Sequence, residues 1–447
     1  MTDEKNTLSR RLKRYADVTT AVGGAAARMA GTRIMGRERD TRGEAADLKA
    51  ALGNLKGPLM KVAQMLASVP DALPADFASE LSTLQTQAPP MGWPFVRRRM
   101  VAELGPDWEK KFKSFERDAA AAASLGQVHR ATDKRGRLLA CKLQYPDMAS
   151  AVEADLAQLR LIFAVYRRMD RAIDPSEIAE EVGARLREEL DYKREAAHMH
   201  LYRIMLKDFD AIRVPDVIDE LSTARLLTMS WETGRPVLEF KSRPLADRNK
   251  IATALFRAWW HPFSRYATIH GDPHLGNYQV RDDLVVNLLD YGCIRTFKPK
   301  FVGGVIDLYR ALERNEPDLA VHAYETWGFV GLKKEVIETL NIWARFIYAP
   351  MLDKRVRTVA NGVEPSAYGR KEAYEVHKRL KQMGPVKPPR EFVFMDRAAI
   401  GLGAVFLHLA AELNFHKIFN EEIEGFTLAE VAKRQKAAFA SSGVPLP

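Results

Sequence analysis

The sequence predicts an α+β fold with two lobes, a small β-rich lobe followed by a larger helical lobe, with a helical extension in front of them. Three observations lead to this prediction. Apolar residues recur at helical spacing over residues 52–67, strand-like segments fill residues 127–144, and helical spacing returns beyond Phe301 and continues nearly to the end. This order of helices, strands and helices is typical of α+β architecture.

The first 118 residues are expected to form a leader and an extension. Residues 1–45 are polar and basic and contain a run of small residues, which is typical of a flexible leader or of a segment lying on a membrane surface. Residues 46–118 carry the first helical pattern, and five prolines between residues 70 and 94 then divide the chain into short helices and turns.

Residues 119–235 are predicted to form the β-rich lobe. Gln127–Thr132 and Arg137–Gln144 flank an Asp-Lys-Arg-Gly turn, as expected of a β-hairpin. A helical pattern follows from about Met148 to Leu206. Further strands are expected at Ile212–Val217 and Arg225–Trp231.

Residues 236–447 are predicted to form the helical lobe. A second hairpin is expected within it, in which Tyr278–Val280 and Leu284–Leu289 flank an Arg-Asp-Asp turn. Beyond Phe301 the pattern is helical.

Composition excludes several classes of protein. Of 447 residues, 47% are hydrophobic and 28% charged, which is ordinary for a globular protein and unlike a disordered or fibrous one. The two cysteines, Cys141 and Cys293, provide neither a disulfide framework nor metal-ligand spacing and suit a reducing compartment. The longest apolar run, residues 398–411, is shorter than the ~20 residues of a membrane span, and no signal peptide is visible. We therefore expect a cytoplasmic protein, with peripheral membrane contact left open.

The net charge of +10 favours acidic partners such as nucleotides or anionic lipid headgroups. Basic residues cluster only briefly, at residues 10–14 and 97–99, without a zinc pattern or a helix-turn-helix signal. No nucleic-acid partner is expected.

The most specific segment reads His-Gly-Asp-Pro-His-Leu-Gly-Asn over residues 270–277, followed after the second hairpin by Asp290-Tyr291-Gly292. Phosphoryl transfer needs a metal ion that bridges the phosphates and an oriented nucleophile. Asp272 could accept a hydroxyl proton, while Asn277 and Asp290 could hold Mg²⁺ through oxygen. The alternative without a catalytic role is a solvent-exposed turn, since these residue types favour turns.

A lysine and several acids complete the candidate site. Lys142 lies in a short apolar strand upstream of the motif, where a kinase carries its phosphate-pairing lysine. Its expected partner is Glu195 on the following helix, and Glu189 and Asp191 are further acids there. Taken alone, the lysine would be interpreted as a residue of an edge strand, and the acids as part of a solvent-exposed helix face.

The segment before the first hairpin lacks the glycines of a usual phosphate loop. It reads Ala-Ala-Ala-Ala-Ala-Ser-Leu-Gly from residue 119, so Ala121, Ala122, Ala123 and Ser124 stand at the expected phosphate positions. Because glycine lets a backbone approach phosphate closely, an alanine loop should hold nucleotide differently. Alone, the alanine run reads as a helix former.

These stretches together resemble the UbiB family of atypical kinases, which includes the AarF and ADCK proteins. The matching segments are AAASLGQVHRA, CKLQYP, ELDYKREA, HGDPHLGN and LLDYG, and Lys61-Val62-Ala63-Gln64 resembles the family's Lys-x-Gly-Gln motif. The resemblance covers about residues 46–300 and implies a protein-kinase-like fold.

The resemblance also implies roles at the matched positions. Lys142 would pair with Glu195 and the nucleotide phosphates, Asp272 would be the catalytic-loop acid, and Asn277 and Asp290 would hold Mg²⁺. ATP or ADP would also contact the loop alanines, Ser124, Met229 and Trp231.

On the extension, Lys61 and Gln64 would reach over the site and meet Glu189 and Asp191. Two departures from the family pattern stand out: Ala63 replaces the motif glycine, and Tyr291 replaces the Phe of Asp-Phe-Gly. Neither removes a catalytic group.

The implied activity is nucleotide binding with ATP hydrolysis, or phosphorylation of a small molecule or lipid in ubiquinone or other isoprenoid-lipid metabolism. The implied partners are the nucleotide, an anionic membrane surface and quinone-biosynthesis proteins. Two alternatives stay open: a small-molecule phosphotransferase of the aminoglycoside or choline kinase type, and a pseudokinase that acts as a nucleotide-dependent binding module.

Overall fold

A computed structural model of the chain divides into two compact units. The first unit comprises residues up to Lys193 together with Ile218–Trp231, and the second comprises Arg194–Val217 and Glu232–Pro447. The structure describes residues 91–123, 125–146, 148–153, 156–157, 183–184, 186–329, 332–360, 362–364, 368–383 and 390–447. The predicted leader over residues 1–45 and the predicted helix over residues 52–67 lie outside these ranges.

An antiparallel sheet forms the centre of the first unit. The elements of this unit are α1 (Trp93–Leu104), β1 (Phe112–Phe115), β2 (Ala121–Ala123), β3 (Gly126–Asp133), β4 (Leu138–Gln144) and β6 (Leu226–Ser230). Strands β1, β3, β4 and β6 lie side by side in that order, and β2 pairs with β3.

The first predicted hairpin is confirmed as β3 and β4, with Val128 opposite Lys142. Asp133 closes the turn, because its Oδ1 accepts hydrogen bonds from the backbone N–H groups of Arg135 at 2.9 Å and Arg137 at 2.8 Å. Gly136 has a φ of +82°, which glycine adopts without strain. Local turn chemistry thus fixes the hairpin register.

The core of the first unit lies on one face of this sheet. Leu139, Cys141 and Leu143 alternate along β4 and are fully buried. They share a cluster with residues of α1, the following turn and β1, namely Val96, Met100, Trp108 and Phe112. Residues 112–115 were expected within the helical extension, but they form a strand paired with β3.

The second unit contains six short strands among its described residues. They are β5 (Ile212–Arg213), β7 (Arg235–Pro236), β8 (Thr268–His270), β9 (Tyr278–Val280), β10 (Val286–Leu288) and β11 (Ile294–Thr296). Four of them lie in the order β5, β10, β9 and β7, and β8 pairs separately with β11. The second predicted hairpin is confirmed as β9 and β10. The strand predicted at residues 212–217 ends early, because Pro215 has no N–H to donate to a neighbouring strand.

Helices make up the rest of the second unit, as expected. They are α2 (Tyr192–Met205, whose first two residues belong to the first unit), α3 (Leu245–Tyr266), α4 (Pro299–Arg314), α5 (Pro317–Thr326), α6 (Lys334–Leu352), α7 (Arg370–Met383), α8 (Arg390–Leu409), α9 (Phe415–Ile423) and α10 (Leu428–Ser442). None of these described helices is both long enough and apolar enough to cross a membrane.

Aromatic side chains of α3 hold the helices of this unit together. Phe256 packs near Phe406 and Phe415, and the ring centroid of Trp260 lies 4.7 Å from that of Phe419. Helix α3 ends at Ala267, whose φ of 51° is left-handed, and the chain passes directly into β8. The packed helix therefore fixes the strand that leads to the His270 motif.

The helix predicted over residues 148–206 is only partly seen. Residues 148–153 are helical, and α2 begins at Tyr192 after a turn at Leu190. Residues 158–182 lie outside the part of the chain that the structure describes.

Candidate functional site

The alanine segment forms a strand. Ala121–Ala123 make β2, with Ala121 opposite Val128 and Ala123 opposite Gly126. The interpretation of this run as a helix start is therefore wrong, because pairing with β3 outweighs the helix propensity of alanine. Ser124 lies outside the described residues.

Strand β3 begins at Gly126, which lies opposite Ala123 of β2. A Cβ at Gly126 would collide with the backbone carbonyl of Leu143 on β4 and would lie 3.1 Å from the Tyr192 hydroxyl. The loop thus keeps its glycine where two strands approach each other closely. The sequence alone did not indicate that a side chain at position 126 would collide with β4.

Lys142 lies on the β4 face that also meets Tyr192. Its side chain is 9% exposed and its Nζ lies 5.1 Å from the Tyr192 ring centroid. Cys141, one residue earlier, points into the apolar core, and burial raises the pKa of its thiol to about 12. The strand register therefore places the lysine, and not the cysteine, on this polar face.

The two residues expected at the nucleotide on β6 and just beyond it differ in exposure. Met229 is buried opposite Ala140, whereas Trp231 is half-buried. The Trp231 N–H donates to the Leu138 carbonyl at 2.9 Å, and the Arg130 guanidinium lies 4.3 Å above its ring. Their contact with a nucleotide stays a prediction.

In the second unit, Asp272 and Asn277 are held together. The Asn277 side-chain amide Nδ2 donates to the backbone carbonyl of Asp272 at 2.9 Å, and it lies 3.5 Å from the Asp272 carboxylate. This orientation turns Asn277 Oδ1 away from Asp272. Both residues are half-buried.

The second hairpin returns the chain to this point. The Leu289 N–H donates to the Asn277 carbonyl at 3.0 Å, so Asp290 follows directly after a strand end beside Asn277. Oδ1 of Asp290 accepts the Gly292 N–H at 2.9 Å. The structure therefore brings together the three polar residues that the motif spacing selected.

His270 links the two acids, a role that the sequence did not reveal. Its Nε2 lies 2.6 Å from the Asp290 carbonyl oxygen, and its Nδ1 accepts the Asp272 N–H at 3.3 Å. Since a carbonyl oxygen only accepts, Nε2 is the nitrogen that donates in this pair. The Trp259 indole donates to the His270 carbonyl at 3.2 Å, which ties the motif to α3.

Glu195 lies on α2, 3% exposed, and accepts a long hydrogen bond of 3.4 Å from the Tyr291 N–H. Tyr291 is fully buried, and its ring centroid lies 5.3 Å from that of Tyr202. Burial raises the pKa of both phenols far above their ordinary values, so each stays protonated. The Tyr291 hydroxyl donates to the Leu288 carbonyl at 3.1 Å.

The acids expected to meet the extension lie before and at the start of α2. Glu189 is half-buried and Asp191 is exposed. Asp191 Oδ1 accepts the Lys193 backbone N–H at 3.1 Å, which forms a local turn where α2 begins. Lys61 and Gln64 lie outside the described residues, so their contact with these acids stays a prediction.

The side-chain donors of this motif are oxygens, which suit a hard cation such as Mg²⁺. Among the described residues, no three His, Cys, Asp or Glu side chains come close enough to hold a metal by themselves. Mg²⁺ is usually bound by one or two carboxylates together with substrate phosphates and water. Asn277 Oδ1 and the Asp290 carboxylate provide such oxygens, and they fit Mg²⁺ that arrives with a nucleotide.

The chain is similar to known proteins over the region that contains these motifs. The ABC1 atypical kinase-like domain matches residues 83–321 of this chain. The chain is 26% identical over 396 residues to Atypical kinase coq-8, mitochondrial, of Caenorhabditis elegans, covering 85% of this chain and 51% of that protein. It is 30% identical over 264 residues to AarF domain-containing protein kinase 1 of Xenopus laevis, covering 58% of this chain and 51% of that protein. The chain thus spans about half the length of these relatives.

A solved structure, that of the Mycobacterium tuberculosis protein Rv3197 in complex with erythromycin, is also similar. It is 28% identical in sequence, with a TM-score of 0.60, and the match covers 86% of this chain and 96% of that one. The likeness extends to the α+β, two-lobed, kinase-like fold.

Proposed function

The chain belongs to the ABC1 atypical kinase-like family, and on this premise we propose that it binds ATP or ADP with Mg²⁺ and hydrolyses or transfers the terminal phosphoryl group. The observation that carries the proposal is the junction of Asn277 with the strand end before Asp290, which supplies oxygen ligands of the type Mg²⁺ prefers. Bound Mg²⁺ neutralises charge that develops on the phosphates.

The other candidate residues would bind the phosphates and position the attacking group. Lys142 would contact the phosphates, with Glu195 as its partner. Asp272 would orient an attacking water or hydroxyl and accept its proton. Asn277 would hold Asp272 in place mainly through the 2.9 Å bond from its Nδ2 to the Asp272 backbone carbonyl. Catalysis of this kind depends on positioning and electrostatics more than on covalent chemistry.

The alanine strand would hold the nucleotide in a more restricted way than a glycine loop. Ala121, Ala122, Ala123 and Ser124 would lie against the phosphates, and Met229 and Trp231 would contact the base. Because β2 is hydrogen-bonded to β3, its backbone has less freedom to wrap around the phosphates.

The wider role follows from the family. We propose that Lys61 and Gln64 approach Glu189 and Asp191 and restrict access of a protein substrate. The activity would support ubiquinone or other isoprenoid-lipid metabolism, at an anionic membrane surface and beside quinone-biosynthesis proteins. A related protein carries a mitochondrial designation in its name, whereas a cytoplasmic location for this chain stays a prediction from sequence.

A second candidate is phosphoryl transfer to a small hydroxyl-bearing molecule. The Rv3197 structure was determined in complex with erythromycin, which carries several hydroxyl groups. A third, a nucleotide-dependent binding module without turnover, is less well supported because the acids of the motif are present.

The test is ATP turnover by the purified chain with Mg²⁺, with and without anionic vesicles, a phenolic quinone precursor or erythromycin. Asp290→Asn and Asn277→Ala should abolish the Mg²⁺-dependent rise in melting temperature on nucleotide addition, while exposed Asp283→Asn, on the same hairpin, should not. An unchanged rise in both site variants would refute the metal assignment. Turnover stimulated only by erythromycin, with phosphorylated product, would favour the second candidate. Binding without turnover under every condition would favour the third.

A further inference from the structure

The two consecutive peptide groups that join Asp290 to Tyr291 and Tyr291 to Gly292 both have hydrogen-bond partners for their N–H and their carbonyl. In the Asp290–Tyr291 peptide, the carbonyl accepts from His270 Nε2 at 2.6 Å and the N–H donates to Glu195 Oε1 at 3.4 Å. In the Tyr291–Gly292 peptide, the carbonyl lies 3.2 Å from His198 Nδ1 and the N–H donates to Asp290 Oδ1 at 2.9 Å. The orientation of the second peptide therefore sets the orientation of the metal-binding carboxylate.

His198 is the side chain that holds this second peptide. It lies on α2, three residues after Glu195 and on the same helical face, and is 3% exposed. Because the Tyr291 carbonyl oxygen can only accept, His198 carries a proton on Nδ1 and donates it. Glu195 and His198 thus hold the N–H and the carbonyl of one residue, Tyr291, from neighbouring positions of one helix.

Gly292 makes this orientation dependent on hydrogen bonds. Rotation of the Tyr291–Gly292 peptide changes φ of Gly292, and glycine tolerates nearly the whole range of φ. A rotated peptide would direct its carbonyl, and not its N–H, towards the Asp290 carboxylate. A donor at the carbonyl also polarises the peptide and strengthens the bond from its N–H.

We propose that His198 is a positioning residue for Mg²⁺ binding, acting through the Tyr291–Gly292 peptide to fix the Asp290 carboxylate. Its imidazole would touch neither the nucleotide nor the metal. The inference rests on the proposed function, since it assigns the purpose of the hydrogen bond to a metal ligand of that site.

The experiment measures the melting temperature with ATP over a Mg²⁺ titration for wild type, His198→Leu, His198→Asn and His198→Gln. Asparagine attaches its Nδ2 to Cγ, as histidine does Nδ1, so it restores the donor; glutamine attaches its amide one carbon further out. We expect His198→Leu and His198→Gln to raise the Mg²⁺ concentration of half-maximal effect about fivefold, which corresponds to ~1 kcal/mol for one net hydrogen bond. His198→Asn should stay within about twofold of wild type. His322→Leu, an exposed position on α5, is the control.

Nucleotide binding in the presence of EDTA separates positioning from general damage. A positioning role leaves this Mg²⁺-free affinity unchanged, whereas a disturbed fold lowers it together with the melting temperature of the free protein. Equal Mg²⁺ requirements for the leucine and glutamine variants and wild type would overturn the inference, and so would a failure of asparagine to differ from glutamine. If wild type itself shows no Mg²⁺-dependent effect, the proposed function fails first.

Discussion

Replacing Gln127 by leucine should loosen the attachment of α1 to β3 in the first unit. Gln127 is 1% exposed, and its side-chain amide grips the backbone of Met91: the Met91 N–H donates to Oε1 at 2.6 Å, and Nε2 donates to the Met91 carbonyl at 3.2 Å. Nε2 also lies 2.7 Å from His129 Nε2, and His129 Nδ1 donates to the Glu116 carbonyl. One amide therefore joins β3 to the chain that enters α1.

The magnitude follows from these contacts. Leucine is similar in volume to glutamine, so no large cavity forms, but three hydrogen bonds disappear. At about 1 kcal/mol each, the local free energy of opening should fall by about 3 kcal/mol. Each 1.4 kcal/mol is a factor of ten, so hydrogen-exchange protection in α1 should fall by roughly two orders of magnitude.

Hydrogen exchange measured by mass spectrometry on peptides covering residues 91–104 is the assay, because a chain with two units need not unfold in one step. Thr132→Val, a half-buried position on the same strand, is the control and should change protection by less than about threefold. If folded Gln127→Leu protein keeps the protection of this control in α1, the proposed anchoring is refuted.

Three other predictions test the first unit. Gly126→Ala should lower the free energy of opening of the first unit by about 3 kcal/mol or more, because a Cβ there collides with the Leu143 carbonyl. Gly136→Ala should lower it by about 1–2 kcal/mol, because only the backbone angle is strained there. Hydrogen exchange in β3 would show this order. Burial lowers the pKa of His129 below its ordinary 6.5, so the unfolded chain binds more protons there and the free energy of unfolding should fall as pH drops below about 6.5, an effect that His129→Asn should flatten in urea midpoints. Ala121→Gly should cost about 0.5–1 kcal/mol in the free protein and, independently, change the nucleotide-induced rise in melting temperature.

Local signals predicted the elements whose causes are local. The β3–β4 hairpin follows from alternation and from a turn that Asp133 closes with bonds to residues two and four positions away. The side on which Lys142 lies follows from the period of two in β4, because a slip by one residue would exchange it with Cys141. The helical lobe follows from long periodic segments.

Other features depend on partners far along the chain. The alanines of β2 and the residues of β1 form strands because β3 offers them backbone hydrogen bonds, which outweighs their local preference. His198 and Glu195 meet Tyr291 across 93 and 96 residues, so spacing within a motif could not reveal these bonds. The roles expected of Lys61 and Gln64 depend on residues that the structure does not describe.

Cys141 gives the first unit a chemical reporter of its own opening. With its side chain fully buried and the pKa of its thiol raised to about 12 by desolvation, it offers almost no thiolate to a reagent at neutral pH while β4 stays packed. Alkylation therefore proceeds through transiently opened molecules, where the thiol regains its ordinary reactivity. The ratio of its alkylation rate to that of an unfolded peptide measures how often this sheet opens, and no cysteine has to be introduced for the measurement.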